Sequence, residues 1–305
     1  MNPSETVRGR VDLHCHSSAS NGATGKPADM ARTFKRLGFS AFALAEHDTF
    51  LSQEAAAAGA AEAGIEFVPG VEVSTRVADP RLGGQAYAHI LGYYFKRTDE
   101  LEAMVGRAYR GLEANLRKGL ERLRAQGIAD ISEAELSAYI RAEWGADDLW
   151  KKPFNCPMPL GQMLQKRGLG LPGEHNDACR TAARVLELTY PPAESATWPD
   201  VRETCDTLHR AGAVVVLAHP ASLEREALLR WLDGYVDGIE VYHPRNSPAY
   251  RAMLLDVVRE TGCAFTGGSD LHWMGWDNLQ ALLSDAPYAC VESLKAHAAL
   301  RMTGG

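Results

Sequence analysis

Short apolar runs that carry imidazole or carboxylate side chains, most of them at the end, recur seven times along this chain, and helix-spaced segments separate most of them. The runs are RVDLHCH (10–16), FSAFALAEHD (39–48), IEFVPGVEVST (65–75), AYAHILGYYF (86–95), AVVVLAHP (213–220), DGIEVYHP (237–244) and CAFTGGSDLH (263–272). Their β-rich composition predicts strands. The segments 27–38, 52–64, 201–212 and 247–262 carry helical patterns, with Gly38, Gly64, Gly212 and Gly262 placed where a left-handed C-cap falls. Strand–helix alternation predicts a parallel sheet. Seven such units with ligand-type residues at the strand ends predict an α/β barrel whose C-terminal mouth is the active face. The glycine-rich link DPRLGGQ (79–85) joins the third and fourth runs without a helix.

Residues 97–200 break this rhythm. The stretch 99–127 puts Leu101, Val105, Leu112, Leu116, Leu120 and Leu123 on one stripe, as a long amphipathic helix requires. Ser132 and Glu135 then form a capping-box pattern. The expected organisation is a barrel from 1–96 and 201–305, with a mainly helical insertion over 97–200 that serves as a lid.

In VDLHCHSSAS (11–20), His14 and His16 fall on one face of a strand, because side chains alternate. Cys15 points the other way and is assigned no chemistry. His14, His16, His47, Glu72, His89, His219, Asp270 and His272 all lie at or near predicted strand ends, and six of the ten histidines are among them. Imidazole and carboxylate without cysteine suit Zn, Mn or Fe. The six cysteines form no Cys-x-x-Cys pair, which points to free thiols in a reducing cytoplasm. A net charge of −7 argues against a long nucleic-acid partner, yet it is compatible with a small anion held by metals. With no signal-peptide pattern and no 18-residue apolar run, a cytoplasmic location without membrane contact is expected. The oligomeric state is left open.

In order, DLHCHS, EHDT, GVEVS, HILGY, AHP and GSDLH resemble the PHP (polymerase and histidinol phosphatase) family. The resemblance implies a distorted seven-stranded (β/α)7 barrel and a metal-dependent phosphoric ester hydrolase with two or three divalent ions (Mn, Zn or Fe). It further implies that His14, His16, Glu72 and Asp270 hold one ion, that Glu72, His89 and His219 hold a second, and that His47 and His272 hold a third. The nearest branch is the stand-alone phosphoesterases that act on nucleoside 3′,5′-bisphosphates and on 5′ ends of short RNA.

Three departures stand out. SASNG places Asn21 where the family has aspartate, which weakens the third site. Glu46 precedes His47 where Thr-Asp-His is usual, and either reaches the third site or orients His47. The insertion lacks an Arg-Pro-His segment. The implied reaction is hydrolysis of a small phosphomonoester, a nucleotide, by a metal-bridging hydroxide. Glu72, His219, Asp270 and His243 form the catalytic set, and Arg245, Arg225 and Asn21 meet the substrate. Lys151, Lys152, Arg167 and Arg180 are further cations that could face inward, and Trp273 and Trp276 are candidates to stack a base. A histidinol-phosphate phosphatase and a catalytically weakened metal-binding domain are the open alternatives.

Overall fold

The computed structural model describes residues 9–20, 23, 25–144, 157–169, 198–272 and 284–303. The strands are β1 (Arg10–Cys15), β2 (Ala41–His47), β3 (Glu66–Phe67), β4 (Gly70–Arg76), β5 (Tyr87–Tyr93), β6 (Val214–Leu217), β7 (Gly238–Tyr242), β8 (Ala264–Gly267) and β9 (Ala286–Pro287). The helices are α1 (Pro27–Arg36), α2 (Gln53–Ala63), α3 (Asp99–Ala125), α4 (Glu133–Trp144), α5 (Pro157–Lys166), α6 (Val201–Arg210), α7 (Arg225–Leu232), α8 (Pro248–Thr261) and α9 (Ala289–Thr303).

The sheet runs in the order β8-β7-β6-β5-β4-β2-β1-β9, with β3 beside β2. The segment after β8 closes the ring onto β1: Asp270 N donates to His14 O at 2.7 Å, and His16 N donates to Leu271 O at 2.9 Å. Gly268 sits at this seam. A Cβ added there would lie 2.3 Å from both N and Cβ of His14, so only a bare Cα fits.

One expectation needs correction. The sheet is not parallel throughout, because β5 pairs antiparallel with both β4 and β6. The link between β4 and β5 is too short for a crossover helix, so the chain turns straight back. The third predicted strand is also divided. Pro69 has no N–H for the ladder, and β3 ends before it. Residues 225–232 and 286–303, given no element from sequence, supply α7, β9 and α9.

Leu13, Ala43, Ala45, Leu91, Tyr93, Val214 and Val216 form one buried cluster, to which α9 adds Val291 and Leu294. Val71, Val73, Val215, Leu217, Ile239 and Val241 pack instead against residues of α3, α6, α7 and α8. Met30, Phe34, Phe42, Leu44, Ala56 and Ala60 form a third cluster beneath α1 and α2, and Cys15 lies within it. The insertion has a core of its own. Leu116, Leu120 and Leu123 of α3 join Leu136 and Ile140 of α4 and Leu160 and Leu164 of α5. The first turns of α3, through Leu101, Met104 and Val105, belong to the barrel's cluster. Ser132 Oγ accepts from Glu135 N at 3.1 Å, which caps the start of α4. Among the described residues, no helix is long and apolar enough to cross a membrane.

Candidate functional site

Glu72 lies in the middle of β4 and is fully buried. Its two oxygens collect five imidazoles. Oε2 lies 3.2 Å from His14 Nε2, 3.3 Å from His16 Nε2 and 2.9 Å from His47 Nδ1. Oε1 lies 2.9 Å from His89 Nδ1 and 3.1 Å from His219 Nε2. Each imidazole arrives by a different backbone route. His14 and His47 lie in β1 and β2, and His16 just follows β1. His89 comes from the first half of β5, because that strand runs backwards and brings its N-terminal end to the mouth.

His219 and Asp270 follow β6 and β8 with φ of 28° and 55°. This left-handed region is sparsely populated by residues other than glycine, and its use at functional ends is a recurrent form of stored strain. Asp270 Oδ1 lies 3.2 Å from His16 Nε2 and 3.6 Å from His14 Nε2. His272 Nδ1 faces the Asp270 carbonyl oxygen at 2.9 Å, and its Nε2 faces His47 Nε2 at 3.2 Å. His89 Nδ1 and His219 Nε2 face each other at 3.3 Å.

These residues make three mutually close groups: His14, His16, Glu72 and Asp270; His47, Glu72 and His89; and His16, His47 and His272. The first coincides with the set the resemblance implies. In the second, His47 stands where His219 was expected, although His219 reaches the same Glu72 oxygen. In the third, His16 joins His47 and His272. A cation fits this donor set. Imidazole nitrogens pointing at one another, and at a carboxylate, leave lone pairs unused unless a proton or a metal lies between them. His14 Nε2 and Glu72 Oε2 are buried without hydrogen-bond partners, as convergent donors awaiting a cation would be.

The electrostatics follow from this crowding. Burial would raise the Glu72 carboxyl, but His47, His14 and His89 around it hold it well below the usual range. Burial would lower His14, but Glu240, Glu72 and Asp270 carry it well above the ordinary imidazole value. His16 is pushed well below that value by burial and by His272 and His47.

Glu240, a carboxylate near the end of the sixth run, was given no role from sequence. It is buried, and its Oε1 lies 2.9 Å from His14 Nδ1. Three other buried acids brace the surrounding loops. Asp12 Oδ1 accepts from Ser269 N at 3.0 Å, and burial pushes its carboxyl up to about 6. Asp48 accepts from Ser74 N and Oγ, both at 2.8 Å. Glu46 accepts from Ser17 Oγ at 2.5 Å and from Ser17 N. Glu46 therefore holds the loop after His16, and none of the three close groups includes it.

His243 is 2% exposed, accepts from Arg245 N at Nδ1, and turns Nε2 toward Asp270 Oδ2 at 3.6 Å. The Arg245 guanidinium lies 3.8 Å from the same oxygen and is 65% exposed, at the edge of the cluster. Arg225 is not brought there. It pairs with Glu260 at the end of α8. Arg167 pairs with Glu135 inside the insertion. Asn21, Lys151, Lys152, Arg180, Trp273 and Trp276 lie outside the described residues.

Residues 12–140 match the PHP domain family. The chain is 27% identical over 282 residues to a 5′-3′ exoribonuclease of Haemophilus influenzae, covering 88% of this chain and 93% of that one. It is 28% identical over 271 residues to a 3′,5′-nucleoside bisphosphate phosphatase of Chromobacterium violaceum, covering 87% and 88%. Its fold resembles that of a candidate metal-dependent phosphoesterase from Bifidobacterium adolescentis, with a TM-score of 0.73 at 23% identity over 95% of this chain and 96% of that one. The domain match, the barrel and the convergent imidazoles agree: residues 12–140 carry a PHP domain match, and the chain is similar over most of its length to phosphoester-cleaving enzymes.

Proposed function

We propose that this enzyme hydrolyses a small phosphomonoester of nucleotide type: a nucleoside 3′,5′-bisphosphate, an AMP-like ester or the 5′ end of a short RNA. The observation that carries the reading is Glu72, a buried carboxylate with five imidazole nitrogens within 3.3 Å of its oxygens. His14, His16, Glu72 and Asp270 would hold one divalent ion, Glu72, His89 and His219 with His47 a second, and His47, His272 and His16 a third. Such ions, when bound, acidify water and neutralise phosphate oxygens.

The remaining work falls to the chain's own groups. We assign Arg245, 3.8 Å from Asp270 Oδ2, to bind the phosphate oxygens. We assign His243, whose Nε2 lies 3.6 Å from Asp270 Oδ2, to deliver a proton to the leaving oxygen. The helical insertion over 97–200 is proposed as a lid, built on its own core. The names of the exoribonuclease and bisphosphate-phosphatase relatives support the nucleotide class.

The test is phosphate release from adenosine 3′,5′-bisphosphate, AMP and histidinol phosphate with Mn²⁺, repeated after chelation. Chelator-sensitive release from a nucleotide is expected. Preference for histidinol phosphate would reassign the substrate. Absence of release from any ester, with metal bound, would overturn the reading.

A further inference from the structure

We infer that Glu240 is the positioning residue that sets both His14 and His219 for cation binding, so that one buried carboxylate couples two ligand sets. The inference rests on the proposed function only in taking the Glu72 cluster as a cation centre.

Glu240 sits in β7 between Ile239 and Val241, which both pack outward against the helices. Strand alternation turns Glu240 to the other face, where it is fully buried. Each of its oxygens has one task. Oε1 faces His14 Nδ1 at 2.9 Å. Oε2 accepts from His219 N at 2.7 Å. The strand end is fixed in turn by Asn246, whose Nδ2 donates to Glu240 O at 3.2 Å and to Val241 O at 2.9 Å.

A carboxylate accepts only, so in the neutral imidazole that a cation requires the proton on His14 must sit at Nδ1. The lone pair is then at Nε2, the atom that lies 3.2 Å from Glu72 Oε2 and has no hydrogen-bond partner. The other tautomer would put N–H where a cation must bind. The second oxygen holds the backbone of His219 at its φ of 28°, from which the imidazole reaches Glu72 Oε1. None of the three close donor groups includes Glu240, so it acts through its two histidines. Partners of this kind set ligand orientation and basicity, and their loss typically costs about 10–100-fold in metal affinity.

The Glu240→Gln variant keeps the shape but offers one acceptor and one N–H₂, so either His219 N loses its acceptor or His14 must take the tautomer with N–H at Nε2. Mn²⁺ binding to the whole chain is measured by calorimetry, and the Co²⁺ visible spectrum is recorded beside it. Affinity is expected to fall about 10–100-fold with unchanged far-UV circular dichroism and an altered Co²⁺ spectrum, and activity to return on raising Mn²⁺. Such metal rescue is a result that a merely structural lesion would not give. If Glu240→Gln does not fold, Glu240→Asp, which keeps the charge but withdraws it by one methylene, carries the same readouts. A folded variant with unchanged affinity and spectrum overturns the assignment, as does lost activity that excess Mn²⁺ does not restore. A wild-type chain that binds no Mn²⁺ overturns the cation centre itself.

Discussion

The ring of Tyr87 stands 6.1 Å from that of His89, centroid to centroid. The two residues lie one strand repeat apart on the same face of β5, and Tyr87 is the outer of the pair. It is 37% exposed, making it one of three large apolar residues open to solvent among those described. Its cross-strand neighbour Arg76 is occupied, donating to Trp198 O at 3.0 Å. A phosphate at the cluster would bring an attached base within reach of this ring. Stacking of a base on an aromatic is worth about 1–3 kcal/mol, so Tyr87→Ala should raise KM for nucleotides roughly 5- to 150-fold. Glycerol phosphate, which has no base, should be hydrolysed as before. Steady-state kinetics on both esters check this.

Arg245 and Arg225 should part company. A charge-assisted hydrogen bond is worth about 1.5–3 kcal/mol, so Arg245→Ala should raise KM for any phosphomonoester by roughly 10-fold or more. Arg225 is engaged with Glu260, so Arg225→Ala should leave KM and kcat within about twofold. Equal effects of the two substitutions would contradict this placement.

Gly268→Ala tests the seam. The new methyl would press on His14 backbone and Cβ atoms at 2.3 Å, and backbone gives way poorly. Overpacking of this kind costs about 1–3 kcal/mol or more. A lowered Tm should accompany weakened Mn²⁺ binding, since the strand that must move carries His14.

Removing metal should destabilise the fold as well as stop turnover. A ligand at a hundredfold excess over its Kd adds about 2.7 kcal/mol to the native state. Thermal unfolding with Mn²⁺ and after chelation should therefore differ by several degrees. Coincident curves would mean that the cluster binds no cation.

Acid sensitivity should appear away from the site, at Asp237. Burial would raise its carboxyl, but His209, Val215 N and Arg301 hold it below the ordinary value. Val215 N donates to its Oδ2 at 2.8 Å. A carboxyl lowered by folding contributes stability above its unfolded pKa of about 3.9 and loses it as pH falls through the folded value. Urea unfolding of the wild type should weaken below pH ~4, and Asp237→Asn should flatten the profile in that window.

The pairing of His14 with His16 was legible because period-two alternation fixes which residues share a face, whereas grouping them with Glu72 and Asp270 came from the family resemblance. The α3 stripe was legible for the same kind of reason. Glu240 was not, because its partner His14 lies 226 residues away and nothing local marks the contact. The left-handed backbone of His219 and Asp270 was not legible either, because His and Asp favour that region only mildly and nothing in AHP or GSDLH fixes it. The reversal of β5 was half visible in the short DPRLGGQ link. Arg225 misled because it follows β6 in sequence, as Arg245 follows β7, yet its helix carries it to Glu260.

The seam between His14 and the segment after β8 also bears on how the molecule is made. The first donor group takes residues from positions 14 and 270, so two segments far apart in the chain must meet before it exists. During synthesis the N-terminal strands emerge long before their closing neighbour. Until that neighbour arrives, His14 and Glu72 lack part of their cage. A nascent or truncated chain that ends before residue 270 therefore cannot complete this donor group or draw stability from a cation held there. The finished site, in this sense, certifies that synthesis has passed residue 270.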